Sequence, residues 1–253
     1  MPLQVHQFPC LSDNYGFLIR DEATDQVACI DTPDAEAILS ELGRMGWTLD
    51  LIMNTHWHPD HAGGNARLKE VTGCAIVGPQ EVTKIAPLDR PVVDGDTVEL
   101  GQTRFEVMQT GGHTLGHISY YDASDSVAFV GDTLFALGCG RLFEGTAEQM
   151  WTSLSRLAAL PDETLVYCAH EYTAANARFA LSVDDGPGIT ARAKEVFAAR
   201  QRGEPTVPTR IGAEKAANPF LRAPQLKAGL GLAAATDAEA FAAVRRAKDA
   251  FQG

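Results

Sequence analysis

No run of apolar residues in this chain approaches the ~18 that a bilayer span requires, so no membrane segment is expected. No CxxC pair occurs. The five cysteines, Cys10, Cys29, Cys74, Cys139 and Cys168, are odd in number and scattered. That usage excludes a disulfide framework and points to a reducing compartment, where thiols pack as small apolar groups. The opening residues, Met1-Pro2-Leu3-Gln4-Val5-His6, lack a basic stretch followed by an apolar one. No secretory leader is therefore expected, and the cytoplasm is the default address. Positive charge is scarce: 21 Lys and Arg against 33 Asp and Glu leave a net charge of -12. A nucleic-acid partner is not expected, because no broad basic field can hold phosphates. An anionic small substrate stays possible, since screening limits the reach of distant acids to ~10 Å.

What is present is ordinary for a globular protein: 253 residues, 45% hydrophobic and 21% charged. The length suits one large domain or two smaller ones and is enough to bury a sizeable core.

One stretch organises the rest: Thr55-His56-Trp57-His58-Pro59-Asp60-His61-Ala62-Gly63-Gly64-Asn65. Three imidazoles and a carboxylate fall between His56 and His61. A lone histidine is more often a satisfied polar residue than a ligand. Three this close, with an acid among them, are hard to explain by packing, and imidazole and carboxylate are ligands of zinc and similar divalent metals. Leu51-Ile52-Met53-Asn54 reads as the strand that delivers the cluster. The internal proline and the following glycines place the ligands on a loop and not on a helix face.

Along the chain, residues 15–20 and 27–31 read as strands joined by a polar hairpin loop. Thr32-Pro33-Asp34 then opens a helix, with Thr32 as N-cap and Pro33 at the first helical position. Ile38, Leu39, Leu42 and Met45 give that helix one buried face. A short helix over 66–71 and a strand over 75–77 follow the cluster, and 79–96 is mostly loop. Strands are expected over 97–100 and 103–110 around a Gly101-Gln102 turn, and over 118–121 and 127–130. The last of these runs into Gly131-Asp132-Thr133, where an acid ending an apolar strand is placed to project into a site. Thr146 and Gln149 form a capping box for the next helix, and 164–168 is the last clear strand. Beyond it the composition is Ala-rich, with helices over about 173–183, 188–202 and 236–251 and no convincing strand. The pattern implies an α/β body over 1–170 and a helical domain over 171–253. No internal repeat is evident.

Of the seven histidines, His56, His58, His61, His113 and His170 fall at strand ends or in glycine-flanked loops, as do Asp60 and Asp132. These are too many for one tetrahedral ion and suit two ions sharing a bridging carboxylate. A sensible partition gives His56, His58 and His113 to one ion and Asp60, His61 and His170 to the other, with Asp132 between. His6 reads as structural, and His117 as a group beside the ligands. Cys168 reads as a core thiol. Zinc is the first expectation for such a site, although an all-N/O set also suits iron or manganese.

The motifs resemble the metallo-β-lactamase superfamily, whose HxHxDH signature stands at 56–61, and within it the hydroxyacylglutathione hydrolase (glyoxalase II) family. Supporting stretches are Gly112-His113-Thr114-Leu115-Gly116-His117, Gly131-Asp132-Thr133-Leu134-Phe135, Gly138-Cys139-Gly140-Arg141, Phe143-Glu144-Gly145-Thr146, His170-Glu171-Tyr172-Thr173, Asn218-Pro219-Phe220 and Arg245-Arg246-Ala247-Lys248-Asp249. The resemblance implies a four-layer αββα sandwich with a C-terminal all-helical domain, two divalent metal ions, and hydrolysis of S-D-lactoylglutathione to D-lactate and glutathione. It assigns Asp60 and Asp132 to the chemistry and Arg141, Phe143, Tyr172, Arg245 and Lys248 to glutathione. The family commonly carries Lys where Arg141 stands and Tyr where Phe143 stands. Arg keeps the charge, but Phe143 lacks a hydroxyl, which implies weaker glutathione binding. Independently, Thr236 and Glu239 form a capping box, and Phe241, Val244, Arg245, Lys248 and Phe251 share one helical face while Arg246 points elsewhere. Within the superfamily the rival is a mononuclear-iron glutathione persulfide dioxygenase. From another class, a non-catalytic metal-binding module is the alternative. The partner implied is the glutathione thioester substrate, with no nucleic acid and no membrane, and a monomer is expected.

Overall fold

The structure is a computed structural model that describes residues 3–184 and 186–253. The chain divides into two compact units. One runs to Gln109 and includes Gly116–Gly131; the other holds Thr110–Leu115 and Asp132–Gly253.

In the first unit, short apolar runs become strands of one sheet: β1 (Leu3–Cys10), β2 (Asn14–Asp21), β3 (Val27–Ile30), β4 (Leu51–Met53), β5 (Ala75–Gly78) and β6 (Arg90–Pro91), in that spatial order. The first three pair antiparallel and the rest parallel. Parallel neighbours need crossovers, and these are helix α1 (Ala35–Met45), helices α2 (Pro59–Ala62) and α3 (Asn65–Thr72), and a 3-10 turn at Gln80–Lys84. Four more strands, β7 (Thr97–Leu100), β8 (Thr103–Gln109), β9 (Ile118–Asp122) and β10 (Val127–Gly131), form an antiparallel meander.

Alternation along the strands sorts the side chains. Leu18, Cys29, Ile52 and Ile76 face the helices and pack with Ile38, Leu42 and Leu68. Phe17 points the other way, and its ring meets Phe129 of β10 at 5.8 Å, while Phe105 meets Phe129 at 6.3 Å. Full burial of such side chains contributes roughly 1.5–3 kcal/mol each.

The sequence placed the start of α1 too early. Asp34, not Thr32, is the N-cap, and its carboxylate accepts from the Glu36 and Ala37 amides. Thr32 is buried and spent elsewhere: its hydroxyl donates to Asn65 Oδ1 at 2.8 Å.

In the second unit, β11 (Leu134–Phe135) and β12 (Gly138–Cys139) make a tight ribbon. Helix α4 (Ala147–Ala158) begins at the expected capping box. Strand β13 (Leu165–Cys168) pairs with β14 (Thr209–Arg210), a two-residue strand inside the region expected to be helical throughout. It was illegible because two residues carry no period. The remaining helices are α5 (Thr173–Val183), α6 (Pro187–Gln201), α7 (Ile211–Ala217), α8 (Ala223–Leu226) and α9 (Asp237–Ala250). Small side chains let α5, α6 and α7 pack closely, with Ala177, Ala180, Ala193 and Ala217 around Ile189 and Val196. Phe241 of α9 sits against Trp151 and Phe220, at 6.1 and 6.2 Å between ring centroids. Among the described residues, no helix is long and apolar enough to cross a membrane.

Candidate metal centre

In the first unit, the histidine cluster leaves β4 and turns sharply. Asp60 and His61 lie on the one-turn helix α2, contrary to the expectation of loop throughout. Proline fits at the first helical position, where its missing N–H would find no intrahelical acceptor, so Pro59 starts this turn and does not prevent it. The turn is stitched from beneath. Asn54 Nδ2 donates to the His61 carbonyl at 2.8 Å, the Thr32 amide donates to the same carbonyl, and Asn65 Nδ2 donates to Asn54 Oδ1. Gly64 is required because a Cβ there would lie 2.8 Å from the Thr32 carbonyl oxygen.

Asp31 then fixes the rings. Its backbone has φ 55, a left-handed conformation that non-glycine residues seldom adopt. Held there, Oδ1 accepts from the Thr55 amide at 2.7 Å, and Oδ2 accepts from the Thr55 hydroxyl at 2.8 Å and from His61 Nδ1 at 2.8 Å. A carboxylate in this role only accepts, so His61 carries its proton on Nδ1 and its lone pair on Nε2. The Thr55 proton is committed to Asp31, so Thr55 Oγ1, 3.0 Å from His56 Nδ1, accepts from that ring. His56 therefore also presents the lone pair of Nε2, which lies 3.0 Å from His58 Nδ1. Hydrogen bonds of this kind to the far nitrogen orient and strengthen metal-ligating histidines. Asn14 donates to Asp60 Oδ2 at 3.1 Å and aims that carboxylate. His117 is buried with its ring stacked on His56 at 4.8 Å. Gly131 closes this arrangement: at φ +47, a Cβ would lie 2.5 Å from Thr55 Oγ1 and 2.7 Å from His117 Nε2. His6 is occupied with Glu41 at 2.7 Å, in keeping with a structural role.

In the second unit, three further candidates come together. His113 Nδ1 donates to the Arg141 carbonyl at 2.8 Å, which again leaves the lone pair on Nε2. Asp132 turns one oxygen to each of two rings: Oδ2 is 3.3 Å from His113 Nε2, and Oδ1 is 3.4 Å from His170 Nε2. A carboxylate oxygen and an imidazole lone pair repel at that distance unless a cation or proton lies between them. The donor set therefore fits a divalent ion, and the shape of Asp132 fits a bridging ligand. Gly140 is forced here, because a Cβ would lie 1.9 Å from the Asp132 carbonyl oxygen. His56, His61, His113, Asp132 and His170 are buried, while His58 and Asp60 are half-buried.

The residues assigned to glutathione by resemblance all lie in this unit. Phe143 is 61% exposed, with its ring 5.1 Å from that of His113. Tyr172 is 39% exposed and stacks on His170 at 4.7 Å and 3°. Arg141 is exposed. Lys248 Nζ donates to the Ala175 carbonyl at 3.2 Å between Phe179 and Phe251. Burial lowers its pKa, helped by Arg245, Arg178 and Arg141. Arg245 is buried and donates to the Cys139 carbonyl at 3.0 Å and to Asp249 at 2.7 Å, so much of its capacity is used within the fold.

Asp31, Asn14 and Asn54 were not singled out from the sequence. Asp31 carried a usable signal, an acid at the end of an apolar strand, which is the same signal that exposed Asp132.

Residues 29–170 match the metallo-beta-lactamase superfamily, and residues 171–251 match the hydroxyacylglutathione hydrolase C-terminus. A protein of Maricaulis maris named hydroxyacylglutathione hydrolase is 56% identical over 253 residues, which cover 98% of this chain and 99% of that one. Another of that name, from Erythrobacter litoralis, is 54% identical over 252 residues, covering 98% and 100%. Among solved structures, ETHE1 from Myxococcus xanthus superposes with a TM-score of 0.69 at 31% identity, over 97% of this chain and 90% of that one. The fold is the metallo-β-lactamase fold that the motifs implied. Superfamily membership and the histidine and aspartate sets together mark a divalent-metal-binding protein. With both halves matched and the relatives similar from end to end, the chain belongs to the hydroxyacylglutathione hydrolase family of the metallo-β-lactamase superfamily.

Proposed function

We propose that this protein hydrolyses S-D-lactoylglutathione and related S-2-hydroxyacylglutathiones to the hydroxy acid and glutathione, the second step of methylglyoxal detoxification. The observation that carries the reading is Asp132, one carboxylate facing the ligand nitrogens of both His113 and His170. The seven candidate positions offer five imidazoles and two carboxylates, donors that a divalent ion takes. They support two ions, with His56, His58 and His113 on one, Asp60, His61 and His170 on the other, and Asp132 shared. Zinc is proposed first, and iron or manganese would suit the same donors.

Divalent ions held there would supply Lewis acidity toward the thioester carbonyl and a bound water whose pKa is lowered to about 7. The chain's own residues do the rest. Asp60, held by Asn14, orients the attacking water. Arg141, Tyr172, Lys248 and Arg245 bind the glutathione moiety, with the cations directed at its carboxylates. Phe143 contributes a ring but no hydroxyl. The leaving thiolate needs little help, because the conjugate thiol has a pKa near ~8.5. No serine or cysteine nucleophile is required.

In this reading 1–170 supplies the metal ligands and 171–253 the terminal glutathione contacts. The protein acts as a monomer in a reducing compartment, the cytoplasm, where its free thiols persist. The match of 171–251 to the hydrolase C-terminus favours hydrolysis over persulfide oxidation. The test pairs metal analysis with steady-state hydrolysis of lactoylglutathione. Asp132→Ala and His58→Ala should lose turnover together with stoichiometric metal. Turnover by metal-free protein, or oxygen consumption on glutathione persulfide without thioester cleavage, would refute the proposal.

A further inference from the structure

The ribbon β11–β12 has only two residue pairs, Leu134↔Cys139 and Phe135↔Gly138. So short a ribbon does not hold itself together in water. Its turn also contains Leu137 at φ 56, a conformation that a leucine seldom adopts. Yet the ribbon occupies a critical place. Asp132 lies two residues before it. At its other end, the Gly140 amide donates to the Thr133 carbonyl at 3.2 Å, and the next carbonyl, that of Arg141, holds the His113 ring.

Two side chains of the helical region seize its backbone. Glu214 Oε2 accepts from the Leu137 amide at 2.7 Å. Asn218 Nδ2 donates to the carbonyls of Phe135 and Gly138, at 3.1 and 2.9 Å. The two also bond each other at 2.9 Å, and the Thr209 hydroxyl donates to Glu214 Oε1 at 2.6 Å. A spacing of four residues puts Glu214 and Asn218 on one face at the end of α7. Both are 0% exposed. A carboxylate buried so fully, and bonded only to neutral donors in these contacts, is costly to retain. An Ala-rich helix would ordinarily turn its glutamate to solvent.

We infer that Glu214 and Asn218 are positioning residues for the metal site: they lock the Leu134–Cys139 ribbon and thereby set Asp132 and the Arg141 carbonyl that orients His113. The inference rests on the proposed metal-dependent hydrolysis and deepens it. It gives the helical region a second task, holding ligands in place as well as contacting substrate.

The test compares wild type, Glu214→Ala and Glu214→Gln. It measures Co2+ affinity by competition with a chelating dye, the visible spectrum of the Co2+ protein, kcat and KM on lactoylglutathione, and thermal unfolding of metal-free protein. Glu214→Ala should weaken metal binding by about 10–100-fold, the range for lost support of a ligand, and alter the spectrum. Its kcat should fall while KM stays within about twofold, because the substrate contacts are untouched. Glutamine can keep an oxygen toward Leu137 and Asn218 and donate its amide to Thr209, whose hydroxyl can turn to accept. Glu214→Gln should therefore recover most of the lost metal affinity. If Glu214→Ala does not fold, Thr209→Val carries the test. It removes one hydrogen bond, and metal affinity should fall by about fivefold.

Metal affinity, spectrum and kcat equal to wild type in Glu214→Ala, or in Thr209→Val where that variant carries the test, would overturn the inference. So would Glu214→Gln as impaired as Glu214→Ala. Wild-type protein that takes up no metal, or leaves the thioester intact, would instead defeat the functional proposal.

Discussion

His61 gives its Nδ1 proton to Asp31 Oδ2 across 2.8 Å, and that bond decides which face of the ring is left for a metal. The same oxygen receives the Thr55 hydroxyl, so Asp31 governs His56 as well. Asp31→Asn keeps the shape but places an NH2 group where two donors now point. His61 would then move its proton to Nε2 and lose the lone pair intended for the metal. Metal affinity should drop by roughly 10–100-fold, the range for losing such a partner. Competition with a chelating dye measures it, and an affinity equal to wild type would show that the ring does not depend on Asp31.

Phe143 stands exposed beside the His113 ring and has no hydroxyl to offer a ligand. On the proposed placement of glutathione, a Phe143→Tyr variant should gain one hydrogen bond to it, worth about 0.5–1.5 kcal/mol. KM for lactoylglutathione should fall by a factor of about 2–10 on that basis, with kcat little changed. An unchanged KM would remove Phe143 from the substrate contacts.

Lys248 supplies the pH dependence. Burial, then the neighbouring Arg245, Arg178 and Arg141, hold its pKa below the ordinary 10.5. In the folded protein it therefore sheds its proton earlier than in the unfolded chain. Between the lowered value and 10.5 the unfolded chain binds more protons, so this group's contribution to stability rises with pH across that window. Binding should change in the opposite sense. On the proposed role of Lys248 as a cation for a glutathione carboxylate, its neutralisation should raise KM. Lys248→Arg keeps its charge well above this range, so the alkaline rise in KM should disappear. Steady-state kinetics across the alkaline range, on both proteins, decides it.

The thiols should be silent. All five cysteines are free and buried. Burial pushes Cys10 and Cys168 up to about 12, and Cys139 up to about 11 despite Arg245 at its side. Thiolate is the reactive form, and little of it exists near neutral pH. A chromogenic disulfide reagent should react with none of them in native protein and with all five after unfolding. Rapid native reaction would mean that one of these segments opens.

How far the sequence could be read depended on whether residues advertise their partners. The strands around Leu18, Ile52 and Phe129 were legible because apolar alternation or short apolar runs bounded by turns leave few options. Both capping boxes were legible because the spacing of Thr and Gln or Glu is itself the structure. Pro59 misled, since the residue that breaks a helix interior also begins a helix well. Thr32 misled for a related reason: its hydroxyl was needed by Asn65, a residue distant in sequence. Glu214 was invisible, because a glutamate in an Ala-rich helix has the same letters whether it faces water or a buried amide. Asp31 was within reach, yet a strand-end acid draws notice only when histidines stand beside it in the chain.

Gly131 touches neither metal nor substrate in any role proposed for it, but Thr55 Oγ1 and His117 Nε2 crowd the space where a side chain would begin. Every replacement must push the threonine that relays the carboxylate to His56. A substitution at this glycine would therefore disturb the His56 ring while leaving every proposed ligand in place.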